Sequence, residues 1–349
     1  MKNEAVPMAR RADYSCSSKS IISVNKRASA QVHVRASPSQ QCTRPLNLRH
    51  LSYLLALAAE RNFHKAAQAS HIAQPTLSAA LRQLEAEFGV PLVRRSNQRF
   101  EGFTDEGVKV LEVARRMLAD SDTLKQSLRT PRGRLTGQLR IGIIPTAEPL
   151  AGQITAAFHA RQPDVTITLL SNTSKEIERR ITEHTLEAGI TYVERTRSSQ
   201  LLAQPLYREG YVVIGAEEFL GQTRTRITWR EAASLPLVLL NQEMQNRSLI
   251  NEAFRKAGAE PKVMAESSTL VGIFSHVRQG MWCGVVPNTF AAMLGPVGGI
   301  RVLALTDPIT EHAVGILTLA RKPLPPLAQA LIEVLQQLPA IGGRAKLRG

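Results

Sequence analysis

Thr76, Ala79, Arg82 and Gln83, with Ser78 at the margin, fall on one side of a segment whose other side is leucine. Small side chains permit close approach to a groove, and hydroxyl, amide and guanidinium groups can reach base edges or phosphates. The chemistry on offer is recognition of nucleic acid, not the making or breaking of bonds. A helix must hold these groups. It should open at Gln74-Pro75, because proline lacks a backbone donor and is welcome only in the first turn, and close at Gly89, where a left-handed residue is needed. At 100° per residue Leu77, Leu81, Leu84 and Phe88 form one apolar stripe, expected to face a core, which turns Gln74, Pro75, Thr76, Ser78, Ala79 and Arg82 outward.

Two neighbouring segments complete the device. A short helix from Phe63 to Ala69 precedes the first one, with His71-Ile72-Ala73 as the turn between them. Residues 90–93 read as a strand, and Arg94, Arg95 and Arg99 surround a polar Ser96-Asn97-Gln98 tip suited to phosphate contact. Each part has a plainer reading when taken alone. An amphipathic helix after an alanine-rich one occurs in many proteins that never meet DNA, and a basic loop can simply be solvated. Together the parts outline a winged helix-turn-helix.

With these residues the chain resembles the LysR-type transcriptional regulators. The matching residues are Phe63, Ala66-Ala67, Ile72, Gln74-Pro75, Leu77-Ser78, Leu81-Arg82-Gln83-Leu84-Glu85, Gly89-Val90-Pro91-Leu92, Arg95, Phe103-Thr104 and Glu106-Gly107. The resemblance implies double-stranded promoter DNA as a partner, self-association as a dimer or tetramer, RNA polymerase as a further candidate partner, and a two-lobed effector domain. Two departures stand out. The family usually carries Ser or Thr where Ala73 stands, so the recognition helix lacks its side-chain cap, a loss of about 0.5–2 kcal/mol. The wing is also one residue longer than usual, at Gly102.

A chain of 349 residues exceeds what one hydrophobic core serves, and 43% hydrophobic with 21% charged residues is ordinary for a globular protein. The net charge of +15 invites a nucleic-acid reading, yet residues 45–131 carry 12 Lys/Arg against 9 Asp/Glu, so positive charge there is placed rather than abundant. No apolar run approaches a membrane span and the start lacks a hydrophobic secretion region, so cytoplasmic residence without membrane contact is expected. Of Cys16, Cys42 and Cys283, the last sits in an apolar run and reads as a buried core thiol; a peroxide-sensing pair is the sharper alternative. Neither Cys nor His shows metal-ligand spacing, and no cofactor is expected.

Residues 1–45 lack periodicity and read as a disordered extension, with translation expected to start at Leu46, which would make the segment an artefact of start-site choice. The winged helix-turn-helix then occupies 46–104 and a linker or dimerisation helix 105–130, with Val108, Leu111, Ala114, Leu118, Leu124 and Leu128 as its apolar seam. A Pro/Gly/Arg hinge follows at 131–137. From 138 to 340 strands alternate with helices, the signature of an α/β body. It is read as two lobes, 138–211 with 316–340 and 212–315, before a basic tail at 341–349. The fold class is therefore α/β multidomain: an all-α winged helix-turn-helix with a long linker helix, then a two-lobed body resembling periplasmic binding proteins.

Ligands of such bodies lie in the cleft, beyond the carboxyl ends of strands. The groups expected there are Pro145, Thr146 and Ala147; Ser171, Asn172 and Thr173; Thr191; Gln245, Asn246 and Arg247; and Ser267, Ser268 and Thr269. Hydroxyls and free donors at helix starts favour a small anionic effector, although each Ser or Thr taken singly reads equally well as a helix cap. The rival class is a solute-binding protein or enzyme on the α/β body with the N-terminal helices as a dimerisation module. No Gly-rich phosphate loop, nucleophile elbow or acid/base cluster supports catalysis.

Overall fold

The computed structural model describes residues 46–96, 99–129, 134–196, 198–321 and 323–338. The readings of residues 1–45, of Asn97-Gln98, of 131–133 and of the tail at 341–349 lie outside these.

In the head, α1 (Leu48–Glu60), α2 (Phe63–Ala69) and α3 (Gln74–Phe88) precede a two-stranded wing, β1 (Val93–Ser96) and β2 (Arg99–Phe103). Asn47 and Asn62 cap α1 and α2 by accepting first-turn amides. Left-handed His71 closes the turn into α3, where the Ile72 amide donates back to the Ala67 carbonyl over 3.0 Å. Leu51, Leu54 and Leu57 meet Phe63, Ala66, Leu77, Leu81 and Leu84 in one core.

The long helix α4 (Asp105–Arg129) enters the same core through Leu111 and Ala114, with Leu118 packed beside them. This splits the seam read from the sequence. Val108 instead lies 56% exposed, as does Val113 at 56%, with Met117 at 36% one turn beyond Val113 on the same side. The reason is that α4 is held from two directions, by the head core through Leu111 and Ala114 and by Arg321 of the body, which donates to Asp120 and Thr123.

The body begins with β3 (Gly137–Ile143), a 3-10 turn (Pro145–Leu150), α5 (Ala151–Arg161), β4 (Val165–Ser171), α6 (Ser174–Thr182) and β5 (Ala188–Tyr192). A 16-residue strand, β6 (Leu201–Ala216), leads into α7 (Glu217–Leu220), β7 (Arg226–Thr228), α8 (Trp229–Ala233), β8 (Leu237–Leu240) and α9 (Gln245–Lys256). Then follow β9 (Val263–Ser267), α10 (Leu270–Val277), β10 (Cys283–Pro287), α11 (Asn288–Leu294), β11 (Ile300–Thr306), β12 (Glu311–Leu319) and α12 (Pro326–Gln337). The strand order is β4-β3-β5-β12-β6-β10-β8-β9, with β11 joining β6 to β7. Pairing is parallel within β4-β3-β5 and β10-β8-β9, and antiparallel where β12 meets β5 and β6 and where β6 goes on to meet β10 and β11.

The strand β6 pairs with β12 from Leu201 to Gly210 and with β10 and β11 beyond it. All of β12, from Glu311, is hydrogen-bonded into the first lobe's sheet. The return crossing therefore falls near residue 310, not at the 315/316 boundary read from the sequence, because strand pairing rather than hydropathy marks the change of lobe.

Candidate DNA-binding face and effector site

Leu77, Ala80, Leu81 and Leu84 of α3 are buried, and Gln74, Pro75, Thr76, Ala79, Arg82 and Gln83 are exposed, with Ser78 half-buried. Phe88 departs from the expected stripe and is 41% exposed. The core ends at Leu84, and α3 runs on one turn before left-handed Gly89 redirects the chain. At the other end Ala73 has extended φ/ψ and offers no side-chain cap. Ala73→Ser is therefore expected to stabilise the head by about 1 kcal/mol, read as a higher urea midpoint; an unchanged midpoint would show that the first-turn amides already have acceptors.

The wing differs from its sequence reading in a way that the side chains explain. Residues 90–92 are not a strand, because Glu85 on α3 takes the amides of Leu92 and Val93 on its Oε1, each over 3.0 Å. Its Oε2 accepts from the Arg95 guanidinium at 3.0 Å, and that guanidinium also lies over the Phe63 ring, 5.5 Å from its centroid. Arg95 thus braces the wing against the recognition helix, a role its expected phosphate contact did not include. Arg94 and Arg99 are exposed. The extra wing residue is a bulge: Arg94 pairs with Gly102 and Arg95 with Phe100, so Glu101 has no opposite number.

In the body, the 3-10 turn after β3, the start of α6 and the start of α9 surround a cavity of about 10 Å³, room for about one water. Pro145, Thr146, Thr173, Gln245 and Asn246 line it, together with Ser174, Tyr192, Leu240 and Met244. Buried Thr191 stands behind this wall and donates to Ser174 Oγ over 2.8 Å. The remaining expected residues are elsewhere. Ala147 is sealed in the first lobe's core. Ser171 is exposed at the end of β4, and Asn172 accepts from Arg180. Ser267 and Thr269 bond to each other and Thr269 caps α10, with Ser268 exposed between them. Arg247 is buried and turned away: its guanidinium donates to the Leu240 carbonyl and to Glu266, each at 2.8 Å, and to Asn251 at 3.0 Å. A cation without an ion partner would have been costly there, and Glu266 supplies one.

Behind the pocket lies a cluster that sequence reasoning missed. The Tyr192 hydroxyl receives the Asn246 amide at 3.0 Å, meets Thr146 Oγ1 at 3.3 Å and donates to Glu209. Tyr207 reaches the other Glu209 oxygen at 3.5 Å. Glu209 is wholly buried, and burial pushes its carboxyl up to about 8 against the downward pull of the Tyr192 and Tyr207 hydrogen bonds. Burial likewise raises Tyr192, Tyr207 and Tyr211 well above the usual phenol range. The sequence holds a partial signal: Tyr207, Glu209 and Tyr211 alternate at a spacing of two along β6, which puts a lone carboxylate on one face between two tyrosines without saying that the face is enclosed.

A winged head on a long helix, joined to two α/β lobes with a small pocket at their junction, defines a DNA-binding protein with an effector domain. The chain belongs to the LysR family: residues 48–108 match the bacterial regulatory helix-turn-helix protein, lysR family, and residues 132–340 match the LysR substrate binding domain. It is a transcriptional regulator and not an enzyme. It is 25% identical over 293 residues to the hydrogen peroxide-inducible genes activator of Pectobacterium carotovorum subsp. carotovorum, spanning 84% of this chain and 96% of that one. The nitrogen assimilation regulatory protein nac of Escherichia coli (strain K12) is 26% identical over 296 residues, 84% of this chain and 95% of its own. A full-length OxyR variant from Pseudomonas aeruginosa shares the fold with a TM-score of 0.70 at 24% identity, over 85% of this chain and 97% of its own. Full-length CbnR complexed with its target DNA shares it at 0.62 and 20% identity, over 84% and 99%.

Proposed function

We propose that this protein is a homo-oligomeric, cytoplasmic regulator that sets the outward face of α3 and its wing on a partly palindromic promoter sequence. A small anion at the lobe junction would control how the paired heads sit there. The DNA half rests on the segregation along α3, leucines sealed inward and Thr76, Ala79, Arg82 and Gln83 open to solvent. Arg94 and Arg99 supply phosphate contacts beside it. Val113 and Met117, one turn apart on α4, leave exposed apolar surface suited to a second copy, which would fix the spacing of two half-sites. RNA polymerase is the further partner such a regulator meets at a promoter. Among the described residues no helix is long and apolar enough to cross a membrane.

The effector half rests on the convergence of the α6 and α9 starts on Thr146, Thr173 and Asn246. A space for one water must widen to admit any larger ligand, so occupancy and lobe separation are linked, and a ligand that prefers the wider form shifts the equilibrium. Thiol oxidation is a poorer trigger. Cys283 is the cysteine among the described residues; it is fully buried, and burial pushes its thiol up to about 12, away from the reactive thiolate. Cys16 and Cys42 lie outside those residues.

Fluorescence anisotropy with the gene's own upstream DNA tests the proposal. Affinity should fall steeply with salt, and Arg82→Ala should weaken that site by about 1–3 kcal/mol while changing a scrambled duplex less. Equal affinity for both duplexes, indifferent to salt, would overturn it.

A further inference from the structure

We infer, building on the lobe junction as an anion site, that its ligand is a small monoanion taken up together with a proton, the proton residing on Glu209 one hydroxyl behind the pocket wall. Charge comes first. None of the side chains lining the pocket is ionisable to a cation, and Arg247, the nearest in sequence, is committed to Glu266, Asn251 and the Leu240 carbonyl. The positive potential comes from the starts of α6 and α9, helices of 9 and 12 residues. Each is equivalent to about half an elementary charge, so the two together match about one negative charge. Met244 at the head of α9 offers no side-chain cap; the Arg247 amide folds back onto the Met244 carbonyl at 3.0 Å, and those of Gln245 and Asn246 are left for a ligand.

The hydrogen bonds supply the coupling. With Glu209 ionised, Tyr192 donates to it, and Thr146 must then donate to Tyr192, as Asn246 already does. Both polar groups on that wall then direct a proton away from the pocket. With Glu209 as the acid, its own O–H donates to Tyr192, Tyr192 donates to Thr146, and the Thr146 hydroxyl proton is released toward a bound anion. The 3.3 Å contact between Thr146 and Tyr192 permits either direction. The buried Tyr211 hydroxyl beside Tyr192 and Asn246 makes no well-formed hydrogen bond, a second mark of a site built for another group.

An ionised Glu209 would also repel the anion through a medium of low polarity. The groups around it are Tyr192 on β5, Tyr207 and Tyr211 on β6, Thr146 on the 3-10 turn, Asn246 on α9 and His312 on β12, whose backbone pairs with Glu209. His312 is held below its ordinary value by burial and bonds outward to Glu194, so it stays neutral across the window that matters. Arg195, further out, pairs with Glu252 at 2.5 Å.

The sign follows. A bound anion raises the Glu209 pKa further, so binding takes up no proton where Glu209 is already protonated and takes one up where it is not. Affinity should be flat below about pH 7 and fall as pH rises through about 8.

Calorimetric titration of the full chain with formate, acetate and nitrate, and with neutral acetamide as the control, tests this. Affinity for at least one of the anions should drop about tenfold between about pH 6.5 and 9.0. Buffers of different ionisation enthalpy should report uptake approaching one proton at the higher pH and none at the lower. Glu209→Gln, which keeps an acceptor and a donor in place, should bind with less than about a twofold change over the same range. The wild-type proton count stands even if that variant fails to fold. Anion binding with no proton uptake in the wild type would overturn the coupling and leave the anion site intact. Binding of acetamide but of none of the anions, or no binding at all, would overturn the monoanion assignment and the anion reading of the junction with it.

Discussion

Glu85→Ala is expected to abolish DNA binding while leaving the α/β body folded. Its carboxylate is the acceptor for two backbone amides, those of Leu92 and Val93, at the point where the chain leaves α3 for the wing, and it holds the Arg95 guanidinium as well. The side chain is only 16% exposed, so water is a poor substitute for what is removed. Two amides without acceptors and one unpaired, part-buried guanidinium together should cost about 3–5 kcal/mol. That is comparable to the stability of a head of this size. Glu85→Gln separates the contributions: its Oε1 can still accept both amides, so most of the stability should return and only the charged link to Arg95 is weakened. Domain-resolved urea unfolding and anisotropy on promoter DNA would read both effects. An alanine variant that binds DNA normally would show that the wing does not depend on this strap.

The role of Glu85 was hidden in the sequence for a physical reason. Its partners lie seven to ten residues away across a turn, where no helical or strand periodicity links them, so it read only as part of a matching run. The helices around it were legible, since leucines at helical spacing, Pro75 and Gly89 state the start, the buried face and the end of α3 without help from the rest of the chain. Phe88 shows the limit of that reading. Periodicity says which way a residue points but not whether the opposing core extends that far, and here it stops one turn short.

The body divides along the same line. Its alternating strands and helices were readable from composition and punctuation, and so were the positions where polar residues end a strand or begin a helix. Whether such a residue caps its own helix, as Thr269 does, or looks into the pocket, as Thr146 and Asn246 do, depends on the mutual placement of β3, α6 and α9. Nothing local records that placement. Glu209 is the sharper case, because a charged residue in a strand is ordinarily read as its solvent face, and only the pairing of β6 with β12 encloses it.

Gly107→Ala should be the second most damaging of these changes, and it sets two opposing effects against each other. Alanine in place of glycine inside an exposed helix gains about 1 kcal/mol from propensity. Gly107, though, lies in the first turn of α4 against the entry to the wing, where an added Cβ would stand 2.1 Å from the Leu92 carbonyl oxygen and 3.0 Å from its carbon. That carbonyl is itself fixed by the Thr104 amide at 3.0 Å, and Thr104 caps α4 through the Gly107 amide at 2.9 Å. No rotamer change relieves an overlap with backbone, so α4 must tilt away from the head or the cap must break. Overpacking of this kind costs about 1–3 kcal/mol or more, and an oxygen at 2.1 Å belongs at the upper end, so the net change is a loss of about 2 kcal/mol. The tilt matters more than the energy, because α4 carries the head and would aim it at the wrong spacing. Binding to DNA bearing two half-sites should therefore fall more than binding to a single half-site. Gly152→Ala on α5, where an added Cβ meets nothing within 4 Å, provides the contrast and should stabilise. If the two variants shift stability in the same direction, the Leu92 carbonyl is not the obstacle, and the angle between head and linker is set by something other than this contact.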